Sequence, residues 1–269
     1  MSLELSLHTA PDVPVEAEAL SPGRLSGLSR AAVEKTPVFH GNRSVPLAEF
    51  FRVDGEAGGD LHLYGDLGRI KHAGAGMSEG RLFIHGDIGA HLGACMSGGE
   101  IRVQGNAGDW VGPEMTGGHI FIDGDAGHMV GAAYRGSAAG MLGGEIIITG
   151  RAGNETGHAM RRGLIAVGGD AGDFTGVNML AGTIVVCGRA GLRTAASMKR
   201  GSIVLFCEAE ILPTFSYDCC YQPACLRLCL LHLAGRGLSI DPGFIGGLYN
   251  RWSGDSIELN RGEILIYQS

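Results

Sequence analysis

The sequence predicts an all-β protein: a single-stranded, right-handed parallel β-helix of 19-residue coils, with an N-terminal cap and a small α/β C-terminal cap. Three observations carry that prediction. A glycine returns every 19 residues from Gly80 to Gly99 and Gly118, and the pattern restarts at Gly144, Gly163 and Gly182. Counting that glycine as position one, positions three and five are aliphatic in every copy, as in Leu82 and Ile84, Ile101 and Val103, or Ile165 and Val167. Positions two and four are mostly polar or small. Such period-two alternation marks a strand with one buried face. A methionine keeps step at position seventeen: Met77, Met96, Met115, Met141, Met160, Met179 and Met198. A repeat this short cannot bury its own apolar face, so its copies must stack.

The elements follow in order. Residues 1–58 hold an alternating stretch (Leu3, Leu5, Leu7), a short helix near Ser26–Glu34 and a segment ending FFRVDG, which together cap the first coil. Residues 59–206 are the coils; the copy from Gly59 carries two extra residues and the copy from Gly118 seven. Further glycine columns at positions seven, ten and fourteen mark corners with positive φ, or backbone passing close to backbone. The second β-prone column, at position thirteen, runs from Leu92 and Val111 to Thr175 and Thr194. No helix pattern falls between the strands, and the right hand follows from the rule for parallel crossovers. Residues 207–269 break the repeat at Cys207 and Glu210 and form the C-terminal cap, with an apolar helix from Gln222 to Gly235. The interior is expected to be solid with side chains, the methionine ladder filling one gap in each coil.

Composition narrows the function. A net charge of −7 argues against nucleic-acid binding. The acidic N-terminal stretch lacks the build of a signal peptide, and no apolar run reaches membrane-spanning length. The expectation is a cytoplasmic chain that binds neither nucleic acid nor membrane. A free-standing polysaccharide-active β-helix enzyme would carry a signal peptide and a charged catalytic cluster on one lateral face; neither is evident.

Four of the seven cysteines cluster as Cys219, Cys220, Cys225 and Cys229. They lack paired C-x-x-C spacing, so they read as buried structural thiols before a metal site. The coil histidines fall at different positions, so no metal ladder is expected and surface placement is the default. Position eight is Asp66, Asp87, Asn106, Asp125, Arg151, Asp170 and Arg189. Two arginines there argue against calcium and favour side chains that bond the turns. Arg161 and Arg162 share positions eighteen and nineteen with Lys199 and Arg200, two coils on. They read as a solvated or partner-facing edge, or more sharply as a binding strip for a polyanion. Tyr134 and Arg135, in the seven-residue insertion, form a candidate interface anchor.

The coils, with G-x-x-G-x-x-x-G at positions seven, ten and fourteen, resemble the C subunit of formylmethanofuran dehydrogenase. They also resemble its bacterial counterpart in the formyltransferase/hydrolase complex. The flanking segments carry the same resemblance: VPVEAEALSP from Val13, FHGN at Phe39–Asn42, LPTFSYDC from Leu212 and RWSGDSIELNRGEI from Arg251. The repeats alone would also fit the C-terminal β-helix of glutamate synthase, whose other domains are missing here. The resemblance implies a structural subunit in one-carbon metabolism, non-catalytic itself, with hydrolase and formyltransferase subunits as partners. Those partners would move formyl between tetrahydromethanopterin and a furan cofactor, methanofuran or methylofuran, and hydrolyse it to formate. Metal cofactors would lie in other subunits, and the C-terminal segment leans to the bacterial version. No catalytic residue carries over. Since furan cofactors carry glutamate-rich tails, Arg161, Arg162, Lys199 and Arg200 become candidates to hold such a tail or an acidic partner.

Overall fold

The computed structural model describes residues 2–268. Ahead of the coils come β1 (Ser2–Leu7), β2 (Val15–Glu16), α1 (Pro22–Leu25), α2 (Arg30–Glu34), β3 (Pro37–His40), β4 (Arg43–Pro46) and β5 (Phe51–Gly55). The coils supply β6 (Asp60–Tyr64), β7 (Ile70–Lys71), β8 (Arg81–His85), β9 (Glu100–Val103), β10 (His119–Ile122), β11 (Glu145–Ile148), β12 (Leu164–Val167), β13 (Thr183–Val186) and β14 (Arg200–Leu205). The chain ends through β15 (Ser216–Tyr221), α3 (Ala224–Gly235), α4 (Pro242–Ile245), β16 (Tyr249–Gly254) and β17 (Arg261–Tyr267).

Thirteen strands form one mostly parallel sheet, ordered β15-β16-β17-β14-β13-β12-β11-β10-β9-β8-β6-β1-β5. Pairing turns antiparallel only at its edges, where β5 joins β1 and where β16 joins β17 and β15. The architecture is β-helix-like. Leu61, Leu82, Ile101, Ile120, Ile146, Ile165, Ile184, Ile203 and Ile264 follow one another as Cα partners. All are buried. A slip by one residue would turn this whole column to solvent, so the buried face pins the register.

A second line of contact runs through single bridges between Leu67, Ile88, Ala107, Ala126, Ala152, Ala171 and Ala190. The seven ladder methionines are all buried in the same core. In the later coils Thr156, Thr175 and Thr194 replace aliphatic residues in that core. Each hydroxyl donates to the carbonyl three residues back, at 2.9–3.0 Å, so burial leaves none of these three hydroxyls unpaired.

Glycine serves two different needs. Gly118 has φ +87°, and a Cβ there would stand 2.6 Å from Met96 Cε. Gly124 has ordinary φ, but a Cβ there would meet Asn106 Oδ1 at 2.5 Å and the Gly105 carbonyl at 2.7 Å. Positive φ is also taken by non-glycine residues at one corner, namely His91, Trp110, Met129, Glu155, Phe174 and Arg193. Glycine is therefore retained where rungs crowd one another, beyond what turning alone requires.

The structure departs from the sequence reading at the N-terminal helix and at position four. The N-terminal helix is shorter than expected, Arg30–Glu34, with Ser29 Oγ accepting from Ala32 N, and an unforeseen turn of helix precedes it at Pro22. Position four is not uniformly polar or small. From β10 onward it is Phe121, Ile147, Ala166, Val185 and Val204, and these form a second buried cluster with Leu226, Leu230 and Leu233 of α3. The helix thus covers the outer face of the sheet. Glu145 pins it there: the carboxylate, 6% exposed, lies 2.8 Å from His232 Nε2, 3.1 Å from His119 Nδ1 and 3.5 Å from Arg236 Nε. After β14 the chain leaves the coils and returns as β17, which pairs in parallel with β14 and supplies the last rung. No helix among the described residues is long and apolar enough to cross a membrane.

Glu145→Ala should lower the unfolding free energy by about 1–3 kcal/mol, because it leaves the partly buried Arg236 without its carboxylate and opens a void beneath α3. It should also make the α3 segment the first site of proteolysis. A urea midpoint and a digestion pattern equal to those of the parent would contradict this anchoring role.

Candidate functional site

The four cations singled out from the sequence converge. Successive rungs are tied by Arg161 N to Met141 O (2.9 Å), Leu180 N to Met160 O (2.8 Å) and Lys199 N to Met179 O (2.8 Å). Arg161, Leu180 and Lys199 therefore follow one another rung by rung, as do Arg162, Ala181 and Arg200. Rungs about 4.8 Å apart put the two cationic pairs ~10 Å from each other. With Leu180, Ala181 and Leu259 they line an open cleft of about 450 Å³. Lys199 Nζ lies 3.9 Å from Glu258 Oε2. Among the described residues, Arg161, Arg162 and Arg200 have no carboxylate within ion-pair distance. The lining offers positive charge and aliphatic surface, chemistry suited to an anion.

Tyr134 is less free than its place in an insertion suggests. Its hydroxyl lies 2.9 Å from His91 Nδ1, its backbone N donates to Glu114 Oε1 at 3.0 Å, and its ring stacks on Trp110 at 4.9 Å. The stack continues through His91 to His72, whose rings are 4.5 Å apart. Arg135 beside it is exposed. Burial raises the Tyr134 phenol above its usual range. Desolvation pushes the His91 imidazole down to about 4, and the His72 and Lys71 charges act in the same direction.

Sequence reasoning misses the histidine neighbours. His72 lies over His91, and His62 Nδ1 sits 3.0 Å from His85 Nε2. The two extra residues of the first coil hide the His72–His91 alignment, whereas His62 and His85, at positions four and six, meet diagonally across neighbouring strands on one face of the sheet. The cysteines also differ from expectation. Cys219, Cys220 and Cys225 are exposed and only Cys229 is partly buried, because β15 is an edge strand and α3 turns Cys225 outward. Burial pushes the Cys229 thiol up to about 11. Among the described residues no three His, Cys, Asp or Glu side chains are grouped to hold a metal. The position-eight column bonds the next rung: Asp87 Oδ1 accepts from Asn106 N, Asn106 Oδ1 from Asp125 N, and Asp125 Oδ1 from Arg151 N, at 2.7–2.8 Å. A parallel ladder at position eleven, not anticipated from the sequence, links Asp109, His128, Asn154 and Asp173.

Comparison with known proteins gives a consistent picture. The family model described as GXGXG motif matches residues 69–216, more than half of the chain. A relative is the C subunit of molybdenum-containing formylmethanofuran dehydrogenase 1 of Methanothermobacter thermautotrophicus, 44% identical over 79 residues, covering 29% of this chain and 20% of that protein. The Methanosarcina barkeri protein of the same name is 41% identical over 87 residues, covering 30% and 29%. The C subunit of tungsten-containing formylmethanofuran dehydrogenase 2 of M. thermautotrophicus is 39% identical over 83 residues, covering 29% and 31%. The matches thus span less than a third of the length of these curated relatives. A chain of the crystal structure of the formyltransferase/hydrolase complex (FhcABCD) from Methylorubrum extorquens in complex with methylofuran superimposes with a TM-score of 0.92. It is 32% identical, covering 99% of this chain and 100% of that one.

A pH dependence follows from His91. Its folded pKa lies below the unfolded value, so the unfolded chain binds the proton first as pH falls. Stability should decline as pH drops from about 6.5 to about 4. His91→Phe, which keeps a stacking ring, should flatten that part of a urea-midpoint-against-pH curve. An unchanged slope would remove His91 from the account.

Proposed function

We propose a role from the premise that the chain belongs to the GXGXG-motif family and shares its fold with a chain of the formyltransferase/hydrolase complex. In this reading it is the β-helical structural subunit of such a complex in one-carbon metabolism. Partner hydrolase and formyltransferase subunits carry out formyl transfer to and from a furan cofactor, with hydrolysis to formate. The observation that carries it is the match over 99% of this chain and 100% of the neighbour, flanking segments included. A core filled by stacked side chains supports a scaffolding role, since it leaves no internal substrate chamber.

Finer parts of the reading belong to the same proposal. The rungs are 19-residue coils wound right-handed, residues 59–206 form the coil domain, and residues 1–58 and 207–269 are its caps. The compartment is the cytoplasm. The furan cofactor, methylofuran in the bacterial version, is held chiefly by the partners. Arg161, Arg162, Lys199 and Arg200 attract its glutamate-rich tail or an acidic partner, and Arg135 with Tyr134 meets a neighbouring subunit.

Affinity purification of the tagged chain at native abundance tests the role. Formyltransferase and hydrolase subunits should travel with it, and their absence would overturn the reading. Changing all four cations to Ser should make cofactor retention or assembly at least about tenfold weaker at moderate salt, since such attraction is screened over about a Debye length. Unchanged retention and assembly would remove the strip from the site.

A further inference from the structure

The turn at 256–260 borders the cationic cleft through Leu259 and carries a second exposed aliphatic residue, Ile257, two positions away. Leu259 lines the cleft and is 52% exposed, and Ile257 is 70% exposed. These aliphatic side chains are held rigidly in water. Asp255, 1% exposed, accepts from Ser197 N through Oδ2 (3.0 Å) and from Ile257 N through Oδ1 (3.2 Å). Its carbonyl accepts from Glu258 N (3.1 Å) and Asn260 N (3.0 Å), and Ser256 N donates to Thr214 O (3.0 Å). A buried carboxylate thus fixes the turn to the last coil with both side chains facing outward.

The charge on this surface is equally one-sided. Arg200 of β14 and Arg261 of β17 are Cα partners on adjacent parallel strands. Like charges so placed repel. Among the described residues, the ion pair of Lys199 with Glu258 is the sole carboxylate contact of this group. Four cleft cations, Arg261 beside them and the exposed aliphatic side chains of the adjoining turn call for an occupant with both properties. A chain of carboxylates alone would neutralise the arginines and leave Ile257 and Leu259 wet. An apolar segment alone would bury the aliphatic pair against unpaired guanidinium groups, which is costly.

We propose that the cleft and its rim are a docking site for an acidic segment of a partner polypeptide that carries apolar residues between its carboxylates. The carboxylates engage Arg161, Arg162 and Arg200, and an apolar side chain covers Leu259 and Ile257. This rests on the proposed role within a multi-subunit complex, and it selects a partner peptide over a cofactor tail as the occupant of the strip.

Fluorescence anisotropy on the full-length chain tests it, with two labelled probes: a peptide alternating Glu and Leu, and oligoglutamate of equal length. The alternating peptide should bind at least about tenfold more tightly, a difference that burial of one aliphatic side chain is sufficient to supply. Ile257→Ser with Leu259→Ser should erase that difference. Arg161→Ser, Arg162→Ser and Arg200→Ser together should abolish the salt-sensitive binding of both probes. All three sites are exposed, and a thermal melt matching the parent checks that the variants fold. Equal affinity for the two probes, indifference to the aliphatic changes, or no binding of either would each overturn the proposal. Co-purification of the formyltransferase and hydrolase subunits is a separate readout: its failure sinks the proposed role, and failure of the probes with co-purification intact sinks only this docking site.

Discussion

The close approach of one rung to the next is the constraint on which the rest of the structure depends. A Cβ on Gly99, Gly118, Gly144 or Gly163 would stand 2.6–2.7 Å from the Cε of Met77, Met96, Met115 or Met141 on the rung before. The methionine occupies the space that a side chain on the next rung would need. This interlock lets the strand columns stack in register, and the register in turn buries Ile101, Ile120 and Ile146 at one depth. The interior is packed with buried side chains from successive rungs.

The outer surface is not uniform along the rod. From β10 onward its central strands carry Phe121, Ile147, Ala166 and Val185, which α3 covers and Glu145 secures. At the β6 end the same face carries Tyr64 stacked on His85 at 4.3 Å, with no helix over it. The cationic cleft lies on a different edge, where the chain turns from the methionine column into the next strand. There the last coil, β17 and the 256–260 turn meet. One terminal segment therefore extends the sheet beyond β14, covers part of its flank and completes the rim of the cleft.

Much of this is legible because it repeats. The aliphatic columns, the methionine ladder and the cationic strip each follow from equal spacing, and equal spacing becomes spatial adjacency once rungs stack. What escapes the sequence depends on contacts without a repeat. Glu145 reads as one more polar residue at position two until α3 brings His232 and Arg236 to it. The His72–His91 pair is hidden by two extra residues in the first coil, and the His62–His85 pair by its diagonal offset across two strands. Cys219 and Cys220 look like core thiols by residue type, yet they lie on an exposed edge strand. The apolar character of position four is present in Ile147, Val185 and Val204, but only a covering helix makes it meaningful.

A double-mutant cycle on Met96 and Gly118 tests the interlock most directly. Gly118→Ala alone should destabilise the chain by about 2–4 kcal/mol through crowding and positive φ, and Met96→Ala by about 2–5 kcal/mol through the cavity it leaves. Combined, the new methyl group enters the space that the methionine vacates. Urea unfolding should therefore give a double variant at least about 1 kcal/mol more stable than the sum of the single effects predicts. Additivity within about 0.5 kcal/mol would mean that the two residues do not share that space, and the stacked spine would lose its physical basis.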